Sequence, residues 1–187
     1  MNVETRAETL YRLAGVAHEV ATSHGFDAPT WENFPGKLML VVSELSELAE
    51  ACAESSCPLD LTGTRKSMDE LADVVIRTMT ILHGLFGSWN ARGSAFDWIE
   101  THSSIRTRLP DSWVVVLLRS LSLALEAWRR DDRATALYHC ERLLHFAFQL
   151  ADAGPGVDRH DLLACIEEKI AKNATRPALH SKIMTLG

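Results

Sequence analysis

Apolar residues recur every three or four positions along most of this chain, and the breaks between these stretches hold its prolines: Pro29, Pro35, Pro58, Pro110, Pro155 and Pro177. That period of about 3.6 residues is the period of a helix, and a proline is tolerated only at or outside the ends of one. Nothing reads as an alternating, half-buried strand. The pattern predicts helices over 3–23, 37–54, 66–86, 94–105, 111–129, 132–152 and 158–174. Gly25 suits the residue just past the first helix, and Asp111, Asp132 and Asp158 suit N-caps, where a short carboxylate accepts from first-turn N–H groups. Against roughly 150 residues per domain, 187 residues predict one all-α domain over 1–187, a helical bundle.

Charge narrows the partners. Nineteen basic against 25 acidic residues give a net charge of −6, so the chain has no overall positive field for a nucleic-acid backbone or an anionic membrane. Trp113–Leu118, the longest apolar run, stops at Arg119 and is too short to span a bilayer. Glu4 and Glu8 near the start read as neither a secretory signal nor an anchor, so the expectation is a cytoplasmic protein. Cys52, Cys57, Cys140 and Cys165 lack C-x-x-C or zinc-finger spacing and read as buried thiols.

Two pairs of acids stand out. In 37–54 the apolar stripe is Leu38, Val41, Leu45, Leu48 and Cys52, and Glu44 and Glu47 run along its edge one turn apart. Glu50 points further round, with Ser43 and Ser46, toward solvent. The next helix repeats the arrangement with Glu70 and Asp73 beside Leu71, Val74, Thr78 and Ile81. Two antiparallel helices would bring four carboxylates together, and hard oxygen ligands on rigid helices are what Mg²⁺, or Mn²⁺ in its place, requires. The plainer reading is two solvated faces, with Ser67 and Glu70 forming a capping box.

Cations lie nearby in pattern. Arg77 follows Asp73 by one turn, and Lys37 precedes Glu44 by two; either could neutralise a carboxylate or touch a phosphate. After Glu168 no acid occurs, while Lys169, Lys172, Asn173, Arg176 and Lys182 follow, an anion-binding candidate or a helix end whose cations complement its dipole.

Three ordered segments resemble a known family. Residues 36–50 (GKLMLVVSELSELAE) and 69–77 (DELADVVIR) resemble the Glu-x-x-Glu and Glu-x-x-Asp motifs of MazG-like all-α nucleoside triphosphate pyrophosphohydrolases. Residues 168–180 (EKIAKNATRPALH) resemble that family's C-terminal Lys-x-x-x-Asn-x-x-Arg-Pro segment. The resemblance implies an all-α bundle and Mg²⁺-dependent hydrolysis of a nucleoside triphosphate to monophosphate and pyrophosphate, a house-cleaning activity. Glu44, Glu47, Glu70 and Asp73 would then be metal ligands or water-activating acids, and Lys169, Asn173 and Arg176 would contact phosphates or sugar. It also implies a homodimer.

Residues 87–154 exceed the length seen in compact relatives and resemble the duplicated layout of the dimeric dUTPase-like members. Leu45, Ser46, Glu50 and Ala51 match Leu121, Ser122, Glu126 and Ala127, each 76 positions on. On that reading 1–90 carries the acids, and 110–187 holds a degenerate repeat, with Ser120 and Leu123 replacing Glu44 and Glu47, plus the phosphate-contacting tail. Two amphipathic helices of similar composition would give the same matches. Ahead of the first acidic helix, Trp31 could stack on a base with Asn33 reading its edge, or Trp31 and Phe34 could staple the helix start.

Other chemistries lack their starting residues. There is no P-loop, no G-x-S-x-G elbow and no Glu-x-x-His pair for a di-iron bundle. His160-Asp161 has no later aspartate to complete an HD-type site. The alternative to the enzyme is a non-catalytic helical protein that binds a nucleotide or a protein partner, or a purely structural dimerisation bundle.

Overall fold

The computed structural model describes residues 6–53, 65–86, 113–153 and 161–177, and every regular element among them is an α-helix. The elements are α1 (Arg6–Ser23), α2 (Phe34–Ala53), α3 (Arg65–Phe86), α4 (Trp113–Arg129), α5 (Arg133–Ala153) and α6 (Asp161–Ala174). The helix expected over 94–105, and the caps expected at Asp111 and Asp158, lie outside the described residues. None of the described helices is long and apolar enough to cross a membrane.

Helix ends follow local chemistry. Past α1, Gly25 adopts φ 87°, its N–H donates to the Thr22 carbonyl at 3.0 Å, and the Phe26 N–H donates to the Ala21 carbonyl at 3.1 Å. This pair of reversed bonds closes a helix through a left-handed residue, which glycine adopts without steric cost. α4 ends the same way on Asp131, at φ 56°, and Asp132 then caps α5 by accepting from the Thr135 N–H at 3.0 Å. α2 starts at Phe34, three residues before the sequence pattern suggests. Pro35 sits in its first turn, where a missing N–H costs nothing, and the Lys37 N–H donates to the Asn33 carbonyl.

α3 lies at the centre and packs against α1, α2, α5 and α6, while α4 pairs with α5 and touches α2. Its near-continuous apolar face explains this: Leu71, Ala72, Val74, Val75, Met79 and Leu82 are all at most 1% exposed. Each large buried side chain contributes about 1.5–3 kcal/mol, so α3 anchors the bundle. Val41, Leu45, Leu48 and Ala51 of α2 and Leu117, Leu121, Ala124 and Ala127 of α4 are all buried, so the 76-residue offset is also an offset of packing register. Where α2 has Glu44, α4 buries Ser120, whose hydroxyl donates back to the Val116 carbonyl at 3.2 Å. Cys52, Cys140 and Cys165 are buried thiols, as the sequence predicts; Cys57 lies outside the described residues.

The Gly25–Asn33 connection is pinned at both ends of its span. The Trp31 indole N–H donates to the Asp131 carboxylate at 2.7 Å, the Trp128 N–H donates to the Trp31 carbonyl at 2.7 Å, and the Arg133 guanidinium lies over the Trp31 ring. Trp31 also stacks on buried Phe34, its ring centroid 5.3 Å away. On the other side, Pro29 is buried against Gly84 of α3, where a Cβ would stand 2.6 Å from the Pro29 ring.

Candidate functional site

α2 and α3 set their acids side by side because each helix turns its apolar stripe to the core and leaves the stripe's edge facing a cleft. One carboxylate oxygen each from Glu44, Glu47 and Glu70 lie within 4.8 Å of one another. Asp73, one turn beyond Glu70, lines the same cleft. Glu50 is exposed and outside the cleft lining, as its angle on the helix predicts.

The acids are unequally paired. The Arg77 Nε donates to Glu44 Oε1 at 3.0 Å, and the Glu44 side chain is only 12% exposed. Burial raises the proton affinity of the Glu44 carboxyl above the ordinary carboxylate value; the Arg77 hydrogen bond opposes this, and Asp73 and Glu47 add repulsion. Glu70 is raised for the same first reason, burial, against the attraction of Lys169 and with repulsion from Asp73, Glu47 and Glu44. Asp73 accepts a hydrogen bond from the Lys169 ammonium. Two internal cations therefore hold Glu44 and Asp73, and Lys169 also attracts the Glu70 carboxylate.

α6 brings the tail cations to this cleft. Buried Ile166 and Ile170 seat it, and the exposed pairs Arg12–Glu167 and Arg65–Glu168 add weak, solvent-screened contacts along its outer side. Beyond α6 the Arg176 N–H donates to the Asn173 carbonyl, a tight turn that sends Arg176 back over the cleft. His24 fastens that turn to α1: its ring nitrogens stand 2.7 Å from the carbonyl oxygens of Val20 and Arg176.

The cleft encloses about 760 Å³, a size suited to a small-molecule ligand. Glu44, Glu47, Glu70 and Asp73 line it together with Lys37, Arg77, Lys169, Lys172, Asn173 and Arg176, so the acids and most of the cations singled out in the sequence come together, while Lys182 lies outside the described residues. Lys37 also donates to the Asp27 carbonyl at 2.6 Å, which ties the Gly25–Asn33 connection to α2. Trp31 is the correction. Its ring faces the turn between α4 and α5, away from the cleft, because Asp131, Arg133 and Trp128 engage its N–H, its face and its carbonyl. Asn33 is likewise spent inside its own turn, accepting from the Thr30 N–H and donating to the Ala28 carbonyl. Ser67 is buried within α3, not at its cap, and Glu70 lines the cleft.

His24 and Phe26 reach the cleft without having been singled out in the sequence. Their only sequence signal is that they flank Gly25, the residue that ends α1. Comparison with family models, with curated proteins and with solved structures finds no match to this chain.

Proposed function

We propose that this protein is a Mg²⁺-dependent hydrolase that splits a nucleoside triphosphate into the monophosphate and pyrophosphate. The observation that carries this reading is the convergence of Glu44, Glu47 and Glu70 to within 4.8 Å, in a cleft also lined by Lys169, Lys172, Asn173 and Arg176. An acidic cluster suits a hard dication, a cationic wall suits phosphates, and a triphosphate with its metal needs both.

The donor set fits Mg²⁺: it consists of carboxylate oxygens alone, with no thiolate or imidazole to favour a softer metal. Held by Glu44, Glu47 and Glu70, with Asp73 lining the same cleft, it would polarise the phosphate oxygens and offset the charge that develops as water attacks. Lys169, Arg176 and Asn173 orient the phosphate chain, Arg176 as a planar fork and Lys169 as a point charge. Water adds to one phosphorus of the α–β anhydride, the bridging oxygen leaves with the other phosphoryl group, and one of the clustered carboxylates accepts the proton. The same reading puts the protein with the nucleotide pool of the cytoplasm, as a homodimer. Exposed Val115, Leu118 and Leu125 on one stripe of α4, with exposed Met39 on neighbouring α2, support the dimer. Sedimentation as a monomer at micromolar concentration would remove it.

The test is pyrophosphate release from a panel of ordinary and damaged ribo- and deoxyribonucleoside triphosphates, with Mg²⁺ and with EDTA. Metal-dependent release from any member is the expected result. Silence across the panel from folded protein overturns the reading, and nucleotide binding without turnover would leave the non-catalytic binding protein.

A further inference from the structure

We propose that Phe26 is the platform on which the base of the nucleotide stacks; this rests on the nucleotide reading of the cleft given above. Phe26 lines the cleft and keeps 39% of its surface exposed. An aromatic side chain left that open on a loose segment would mean little, but here the segment is locked. The Phe26 N–H is bonded to the Ala21 carbonyl, Lys37 holds the Asp27 carbonyl, Asn33 holds Ala28 and Thr30, and Pro29 is wedged on Gly84. The fold therefore fixes a partly exposed apolar ring at the wall of a polar cleft, with the Arg77 guanidinium over it.

That guanidinium sets the direction. Arg77 lies over the Phe26 ring, 5.9 Å from its centroid, while its Nε donates to Glu44 at 3.0 Å. A single arginine head thus touches both the ring and the acidic cluster, so a base on Phe26 would lie beside the acids. Val20, Leu40 and Ile81 supply further apolar wall. A flat ring laid against Phe26 gains stacking and buries apolar surface on both partners, whichever base it is. Trp31 cannot serve, since its ring faces another part of the molecule.

The experiment is calorimetric binding to the full-length protein in Mg²⁺, using α,β-imido analogues of dATP, dCTP, dGTP and dTTP, which resist cleavage, and inorganic tripolyphosphate, which has no base. Phe26→Ala should weaken the tightest-bound analogue by roughly 5- to 150-fold, the range base–aromatic stacking gives on truncation. It should leave tripolyphosphate within about twofold, and Phe26→Trp should restore analogue binding. Analogue binding untouched by Phe26→Ala, or analogue and tripolyphosphate weakened alike, overturns the platform while leaving the proposed reaction standing. Wild-type protein that binds neither probe overturns both.

Discussion

The same substitution, glycine to alanine within a helix, should have unequal effects at two positions. In a helix interior alanine is favoured over glycine by about 1 kcal/mol, chiefly through the entropy of the unfolded chain. At Gly15 of α1 a Cβ would find its nearest neighbour, His83 Cε1, at 3.5 Å, an ordinary contact. Gly15→Ala should therefore stabilise by up to about 1 kcal/mol, or roughly 2–4 °C for a chain of this size. At Gly84 of α3 the Cβ would stand 2.6 Å from Pro29 Cδ and 2.9 Å from Cγ. Proline has a stiff ring, and Pro29 is buried in a connection held by Lys37 and Asn33, so α3 and the connection must separate. Forcing extra volume into a packed site costs about 1–3 kcal/mol, which cancels or exceeds the helix-propensity gain, itself reduced in a last turn. Gly84→Ala should thus melt below Gly15→Ala by roughly 2–12 °C. Thermal denaturation followed by circular dichroism, repeated in urea, reads the difference. If Gly84→Ala melts at or above Gly15→Ala, the close packing of Pro29 on α3 is refuted, and with it the locked loop that holds Phe26.

Glu47→Gln should reduce metal-dependent turnover below detection. Its melting temperature should stay within about 2 °C of wild type, because Glu47 is exposed; a variant that keeps most of its activity removes Glu47 from the site. Asp132→Ala leaves the Thr135 N–H without its cap and should lower the melting temperature by roughly 2–4 °C in the same assay. His139 is buried on α5 with its Nδ1 unpartnered, and burial, aided by Arg142, lowers its pKa below the ordinary 6.5. The unfolded chain then takes up the proton first, so stability is lost as pH falls from about 6.5 toward the lower folded value. His139→Gln should flatten that acid limb, and identical slopes for both proteins between pH 7 and 5 would show that His139 has no part in it.

The acidic cluster was legible because helical periodicity is a local property. Once Leu38, Val41, Leu45 and Leu48 are assigned to the core, the angle of 100° per residue dictates that Glu44 and Glu47 run along its border, and the same holds for Glu70 and Asp73 beside Leu71 and Val74. Gly25 and Asp132 were legible for a similar reason, since a left-handed residue and a cap act within four residues of themselves. α2 starts three residues before the sequence pattern predicts because Pro35 reads as a boundary in sequence and is a first-turn residue in space.

Which aromatic faces the cleft was not legible. Trp31 and Phe26 lie five residues apart on one connection, and either could have turned toward the acids. Asp131 and Trp128, about a hundred residues away, bind the N–H and the carbonyl of Trp31, and Gly84 gives room for Pro29, so Phe26 is the ring left at the cleft. The pairing of Arg77 with Glu44 and of Lys169 with Asp73 is likewise a matter of which helices meet. The sequence alone determined that the chain is helical, where most of its helices end and which face of each carries charge, because those depend on backbone geometry and on neighbours one turn away. Only the tertiary structure decided which charges neutralise one another and which aromatic is left uncovered, because those depend on side chains brought together from distant parts of the chain by the burial of α3.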